Sequence, residues 1–381
     1  MIEAIKLLLA LNYAILTFSQ NYSTEHFQKM VESQTGFVLD AWKVQHAWVN
    51  PSMALSPSEP NKIIMVWRMP DKGRHDKMGY MWLNFSTWEV IKKKDMIEII
   101  NPNKWRTNLV GEDPRIFYHN GKEYIVYNHH LSRFKKLFYA ELFYNKPEDM
   151  FYTIDPPNHV AFENEVNIRH QKNWIPFDFC PSCNFQRGLT VLNSNATLLF
   201  IYSIRPHRIV QAFATNVSGE MRAETIFLTE LLPEFRWRWG EMRGGSPALL
   251  MGDFYLSFFH SSGHLSHKHI GTYVMGAYTF ERNPPFAITR MSAEPIFHES
   301  FINETYGWAY KGVDFIVFPM GFTFDDDFIY VSYGKNDRDG WILKLNRSGL
   351  MESLKPVQSK ILGVSDWEDS NITRHSFRQL V

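Results

Sequence analysis

Asn120-Gly121 stands between two alternating apolar runs within Arg115–Asn128, and that arrangement specifies a tight β-hairpin. Four more hairpins are written into the chain. They are Lys62–Arg68 with Tyr80–Phe85, Leu189–Ile204 around Asn193-Ser194-Asn195, Ala248–Ser261 around Gly252-Asp253, and Phe315–Tyr333 around Asp325-Asp326-Asp327. Further strands are expected at Leu137–Tyr144, Ile209–Thr215, Thr272–Phe280 and Trp341–Leu345. Few segments keep a helical apolar period; helix is expected at Ser23–Ser33 and in short pieces such as Thr229–Pro233. Five hairpin units spaced by about 55–75 residues predict an all-β fold, a five-bladed β-propeller with four strands per blade. A pair of β-sandwiches is the competing architecture. In a propeller the innermost strands converge on one funnel, so motifs that open successive hairpins meet there.

Those openings carry the polar chemistry. Asn50-Pro51-Ser52 precedes the first unit, and Arg68 ends its first long strand. Glu112-Asp113-Pro114-Arg115 opens the second; Pro114 is expected to hold Asp113 extended, beside a guanidinium. Such a carboxylate suits an acid or a sugar-binding group, or else a structural loop pair. Lys172-Asn173-Trp174-Ile175-Pro176-Phe177 precedes the third unit, which ends in Ile204-Arg205-Pro206-His207-Arg208. Arg243-Gly244-Gly245-Ser246-Pro247 opens the fourth, which ends in Phe259-His260-Ser261; the fifth ends in Ser332-Tyr333-Gly334-Lys335-Asn336-Asp337.

The chain has 381 residues, 45% of them hydrophobic, enough for a sizeable core. Its formal net charge is zero, which argues against a nucleic-acid partner or an anionic membrane surface. Aromatic residues make up 15%, suited to stacking on carbohydrate or to filling sheet cores. Leu7–Phe18 is mostly apolar and has the length of a signal-peptide core, so residues 1–20 are expected to be a signal peptide or signal anchor and 21–381 a single propeller domain with an N-terminal extension. No later segment is long and apolar enough to span a membrane. Seven Asn-x-Ser/Thr sequons occur, at Asn21, Asn84, Asn195, Asn216, Asn303, Asn346 and Asn371. Chance would supply roughly two or three, so the chain reads as one of the secretory pathway, in the ER–Golgi lumen or outside the cell. There the two cysteines of Cys180-Pro181-Ser182-Cys183 are expected to form a small local disulfide.

The order of the motifs resembles family 130 of the glycoside hydrolases, the β-mannoside phosphorylases and hydrolases, from about Asn50 to Leu345. Its marks are Asn-Pro, Glu-Asp-Pro-Arg, Lys-Asn-Trp-x-Pro-Phe, Gly-Gly-Ser-Pro, Phe-Phe-His, Phe-Pro-Met-Gly and Tyr-Gly-x-x-Asp. The resemblance implies that Asp113 is the general acid of an inverting reaction, with proton delivery passing through a sugar hydroxyl. It implies that Asn50, Arg68 and Asp337 hold the mannose being cleaved, with Arg115 and Lys172 among the substrate-binding residues. Arg205, His207, Arg243 and His260 are the implied holders of inorganic phosphate or a nucleotide-sugar diphosphate, since guanidinium matches phosphate geometry. Here Ile-Arg-Pro-His-Arg matches the family's phosphate segment only in part, and Glu163, Glu165 and Glu241 are candidate bases for hydrolysis. Relatives include mannosyltransferases, so the resemblance leaves hydrolysis, phosphorolysis and transfer open.

No cofactor and no metal is expected. Histidines 264, 267 and 269 lack a carboxylate at ligand spacing, and Asp325-Asp326-Asp327 reads as a solvated hairpin tip. Arg236-Trp237-Arg238-Trp239 reads as a strand edge. Two functions follow: an enzyme cleaving or transferring β-mannosyl units of an oligosaccharide or glycan, or a catalytically inactive lectin. Asp113 together with a facing cation cluster favours the enzyme.

Overall fold

A computed structural model of the chain describes residues 32–363, apart from 33, 35, 47–48, 57–58, 60, 71–75, 102–104, 132–133, 162–171, 192–194, 264–271 and 302–315. The expected signal segment, the helix expected at Ser23–Ser33, Glu163, Glu165, His264, His267, His269 and the sequons at Asn21, Asn303 and Asn371 lie outside the described residues.

The chain is all-β and propeller-like, a succession of antiparallel meanders. The first meander runs Val49–Leu55, Lys62–Met69, Lys77–Asn84 and Val90–Lys94. The second runs Glu112–His119, Lys122–Leu131, Phe134–Glu141 and Asn158–Ala161; the third runs Ile175–Phe179, Thr197–Ser203, His207–Ala214 and Glu220–Leu231. These two join in one larger sheet through a parallel pairing of their outer strands, His159 opposite Glu220. In the fourth, Glu241–Gly244 and Leu249–Met251 both pair with Phe254–Gly263, followed by Thr272–Glu281 and Ile288–Met291. The fifth runs Val317–Phe324, Phe328–Lys335 and Asp339–Asn346, and is completed from the other end of the chain by Val38–His46. That pairing ties the start of the fold to its end.

Most of the strands that open the meanders are buried; Glu241–Gly244 in the fourth is the exception, exposed at Glu241 and Arg243, while Leu249–Met251 after it is buried. Val49–Leu55 and Val317–Phe324 are buried at every position. Alternating strands lie further out, and Val90–Lys94 at an outer edge carries three lysines that discourage edge-to-edge pairing. The opening strands touch closely: a Cβ on Gly321 would come within 2.4 Å of the Met53 backbone nitrogen. The outcome at the first, second, fourth and fifth hairpins agrees with the sequence reading.

Three local expectations are corrected. Leu189–Thr190 pairs with Phe185–Gln186, whereas Thr197–Ser203 pairs with Ile175–Phe179 and His207–Ala214, so Leu189–Ile204 is not one hairpin. Thr229 to Leu231 continue a strand in place of the expected helix, because they hydrogen-bond to both His207–Ala214 and Ser359–Ile361. Arg236–Trp239 is irregular, held by indole bonds from Trp237 to Ser261 and from Trp239 to Glu294. Cys180 and Cys183 are bridged, as expected. Asp325 makes a self-contained turn, accepting from the amides of Asp327 and Phe328.

Candidate functional site

The polar motifs meet at the end of the fold where the opening strands begin, and the backbone puts them there by an unusual device. Between Val49/Arg68 and Ser52/Val66 the register slips by one residue, and the same slip recurs between Glu112/Asn128 and Arg115/Val126. Each bulge contains a residue before proline in the left-handed region: Asn50 at φ 52° and Asp113 at φ 52°. The expectation that Pro114 holds Asp113 extended is therefore corrected; the bulge overrides it. Asn173 (φ 66°) stands just before the third opening strand, and Asn336 and Asp337 (φ 56° and 48°) fill the turn at the same end of the fifth meander. Strained polar residues gathered at one place mark a functional site.

Asp113 is the centre. Asn50 donates from Nδ2 to its Oδ1 at 2.7 Å, and Arg68 lies 3.6 Å from the same oxygen while also pairing with Asp76 at 3.3 Å. Gly334 makes room for the amide, since a Cβ there would fall 2.0 Å from Asn50 Oδ1. Burial by itself would raise the Asp113 pKa, but Arg68, Lys172, the Asn50 bond and Arg115 outweigh it and hold the carboxyl below its ordinary value. Asp337 goes the other way. Burial and the charge of Asp113 raise it, against the pull of Arg68, Lys172 and a bond from Asn50. Two carboxylates thus share one amide and one guanidinium, with their proton affinities pushed apart.

Beside them Glu112 accepts from two ammonium groups, Lys135 at 2.5 Å and 2.6 Å and Lys172 at 3.1 Å. Burial would raise Glu112, yet the two lysines keep it below the usual carboxylate value. Two cations on one carboxylate leave this trio one charge positive, which the neighbouring Asp113 carboxylate offsets.

Arg115 is fully buried. It donates to the Gly245 carbonyl at 2.6 Å, the Asp113 carbonyl at 3.2 Å and Asn173 Oδ1 at 3.4 Å, and lies over the Phe318 ring at 5.8 Å. Burial pulls its pKa down to about 10. It is a positioning residue that ties four meanders together and reaches no surface from which to touch a ligand. Gly244 lets Asn173 approach: a Cβ there would meet the Asn173 carbonyl oxygen at 1.9 Å.

His260 donates from Nδ1 to the Gly244 carbonyl at 3.0 Å and packs against Tyr273 and Phe318. Burial, then Arg243 and Arg115, push its pKa down to about 3, so it is a neutral ring with Nε2 left as an acceptor. Arg243 is at the rim, paired with Glu241 at 2.6 Å and near enough for its charge to act on His260 and Tyr273.

The structure therefore brings together Asn50, Arg68, Asp113, Arg115, Lys172 and Asp337, with Arg243 and His260 beside them. It does not bring Arg205 or His207 to this cluster. Arg205 turns outward to Glu230 at 3.4 Å, and His207 is buried with Nδ1 on the Phe286 carbonyl among Tyr278 and Phe280. Burial lowers His207 to about pKa 3, which makes it a core histidine. Three members were not read as site residues from the sequence. Lys135 starts an ordinary-looking strand, and Tyr273 is one aromatic among many; its phenol senses Arg243, Asp337, Lys172 and Asp113, with burial raising its pKa overall. Asn173 sat in a quoted motif, and its left-handed backbone was the missed signal.

No family profile matches the chain, and no curated protein is similar to it in sequence. Solved structures are similar to it in fold. A glycosyl hydrolase from Bacteroides ovatus shares 17% identity over 84% of this chain and 88% of its own, with a TM-score of 0.54. A structure of the GH130 family of mannoside phosphorylases, which contains glycoside hydrolases that target β-1,2 mannosidic linkages in Candida mannan, has the same identity and TM-score over 80% of this chain and 86% of its own. The β-1,2-mannobiose phosphorylase of Listeria innocua shares 12% identity over 83% of this chain and 96% of its own, with a TM-score of 0.50. At these identities the likeness is one of fold.

Proposed function

We propose that the protein is a single five-bladed propeller enzyme of the secretory pathway that cleaves β-mannosides with inversion. A succession of five antiparallel meanders and the fold likeness to glycosidase and phosphorylase structures support that reading. The observation that carries the chemistry is the Asp113–Asn50–Asp337 arrangement under Arg68. Asp337, Asn50 and Arg68 take the hydroxyls of the mannose, with the carboxylates accepting from neighbouring hydroxyls. Asp113 delivers a proton toward the glycosidic oxygen through a sugar hydroxyl. Its acid form gains ground when the sugar separates it from Arg68, because the guanidinium is the strongest local force keeping it ionised.

The attacking group in this proposal is phosphate, which would compete with Glu112 for the Lys135 and Lys172 ammonium groups. Attack on the side opposite the leaving oxygen turns a β-mannoside into α-mannosyl phosphate. A second reading, hydrolysis, is favoured by a different observation: Arg243 is already spoken for by Glu241, and Arg205 and His207 stand outside the cluster.

The test is a product assay on mannosyl disaccharides with phosphate, with GDP-mannose, and with neither, followed by NMR. Phosphate-dependent α-mannose 1-phosphate supports the proposal. Free mannose without phosphate establishes hydrolysis in its place, and chain extension from GDP-mannose establishes transfer. Binding without turnover under all three conditions identifies a lectin.

A further inference from the structure

The four sequons among the described residues all lie at one end of the fold. Asn84 ends a strand whose other end, Lys77, follows Asp76 at the site; Asn346 ends a strand that begins at Asp339, beside Asp337. Asn195 precedes Thr197, which pairs with Phe179 at the far end of the strand that Asn173 introduces. Asn216 caps the hairpin after Ala214, whose strand starts at His207 on the opposite side. At the site end, the Asn-x-Ser/Thr triplet among the described residues is Asn50-Pro51-Ser52, which its proline disqualifies.

Local geometry suits these asparagines to modification. Asn195 and Asn216 are exposed, Asn216 in a bend. Asn84 and Asn346 use only the side-chain oxygen. Asn84 Oδ1 accepts from the amides of Ser86 (2.8 Å) and Thr87 (3.1 Å), and Asn346 Oδ1 from the amide of Gly349 (2.8 Å) and the hydroxyl of Ser348 (2.8 Å). In both, Nδ2 is uncommitted.

The same end also exposes large apolar side chains next to the sequons. Val90 (53% exposed) closes the Asn84 hairpin, Phe213 (38%) and Val217 (59%) flank Asn216, and Leu39 (44%) follows Val38, the partner of Leu345. They stand on three different meanders, each beside one of the asparagines, where a glycan on that asparagine would shade it. The Cys180–Cys183 bridge follows Phe179 at this end too, and a disulfide is a feature of the oxidising compartment in which sequons are modified.

We infer that the protein carries N-linked oligosaccharides on Asn84, Asn195, Asn216 and Asn346, so that these four stand at the end opposite Asp113, where those on Asn84, Asn216 and Asn346 shade the apolar side chains beside them. In the transfer step Nδ2 bonds to the anomeric carbon of an oligosaccharide carried on a lipid diphosphate. The bond from that carbon to the diphosphate oxygen breaks, the lipid diphosphate leaves with the electron pair, and one Nδ2 proton is released. The inference rests on the secretory compartment proposed above and not on the reaction.

The full chain is expressed in secreting eukaryotic cells and its glycans are removed by a peptide amidase in ¹⁸O-water, which turns each occupied asparagine into labelled aspartate. Peptide mass spectrometry should find the label at all four positions. Absence of label from Asn195 or Asn216, the two exposed acceptors, overturns the inference. The shading has its own readout. Ser86→Ala with Ser218→Ala, which removes both sequons and leaves the Asn84 Oδ1 bonds in place, should bind several-fold more of an apolar fluorescent dye than the wild type at an unchanged Tm, and equal dye binding refutes the shading.

Discussion

Gly334→Ala tests the site without touching any charged group. A Cβ at position 334 would lie 2.0 Å from Asn50 Oδ1, 3.0 Å from its backbone nitrogen and 3.1 Å from its Cα. An ordinary contact needs at least ~3.4 Å, so the amide must retreat by roughly 1.4 Å or rotate away. Asn50 Nδ2 now sits 2.7 Å from Asp113. A retreat of that size takes it beyond hydrogen-bond range, forfeiting a charge-assisted bond worth about 1.5–3 kcal/mol. The backbone of Gly334 is not left-handed, so alanine adds no torsional strain and the stability cost is that of overpacking, about 1–3 kcal/mol. A misplacement of about 1 Å in a positioned group lowers turnover ~10²-fold. The assay is kcat/KM on a β-mannoside, with Tm by calorimetry and Gly36→Ala as a control, since nothing lies within 4 Å of a Cβ at Gly36. Wild-type kcat/KM in a folded Gly334→Ala protein would refute the claim that the Asn50–Asp113 contact organises catalysis.

Other outcomes are expected. Asp113→Asn should lower turnover by ~10²–10⁴ with the fold intact, and by less on a substrate whose leaving group needs no proton, as measured by paired kcat values. Arg115→Lys should destabilise the protein by about 3–5 kcal/mol in denaturant melts, because one ammonium cannot satisfy the Gly245, Asp113 and Asn173 oxygens in their fixed directions. Arg68→Gln should move the alkaline limb of kcat/KM upward in pH, since Arg68 is the first of the groups that lower Asp113 and an acid with a higher pKa keeps its proton longer. Stability should fall as pH drops below about 6.5. There the unfolded chain protonates His207 and His260, while in the native state burial holds both down to about pKa 3; His207→Gln should reduce that slope by roughly one proton in Tm-against-pH data.

The hairpins were legible because strand alternation and Asn-Gly or Gly-Asp turns are local signals. The third meander was misread for a complementary reason. Its opening strand, Ile175–Phe179, pairs with Thr197–Ser203 across an inserted loop and short hairpin, and no local pattern reports that distance. Asn50, Asp113 and Asp337 were found through motif order, which tracks where each opening strand begins. Arg68 and Lys172 come from the same motif order; Lys135 does not, and two of the implied phosphate holders lie elsewhere. Arg205 and His207 occupy a turn at the end that faces the site, but side-chain direction decides their fate, and a neighbouring glutamate or a core cavity claims each. Arg115 shows the same limit from the other side: the sequence places it next to Asp113, and only packing reveals that it faces inward to backbone carbonyls.

The left-handed residues explain why this site was readable at all. Five positions, Asn50, Asp113, Asn173, Asn336 and Asp337, take positive φ at the mouth of the site. At about 1 kcal/mol each, the strain is roughly 5 kcal/mol, a large fraction of the 5–15 kcal/mol that typically separates native from unfolded states. Only residues that tolerate that conformation can stand there, and after glycine these are asparagine and aspartate, whose short side chains bond locally. Glycine would relieve the strain and remove the functional groups. The backbone geometry that gathers these side chains therefore selects the amide and carboxylate chemistry that the proposed sugar site would use. The strain is sustained by the Val49–Leu55 and Val317–Phe324 strands, buried along their whole length, and by the Val38–His46 strand that locks the last meander. On this argument, Asn173→Gly should raise Tm while loosening Arg115, and a loss of kcat/KM together with a gain in Tm is the signature expected; a fall in both would mean that the Arg115 bond outweighs the strain.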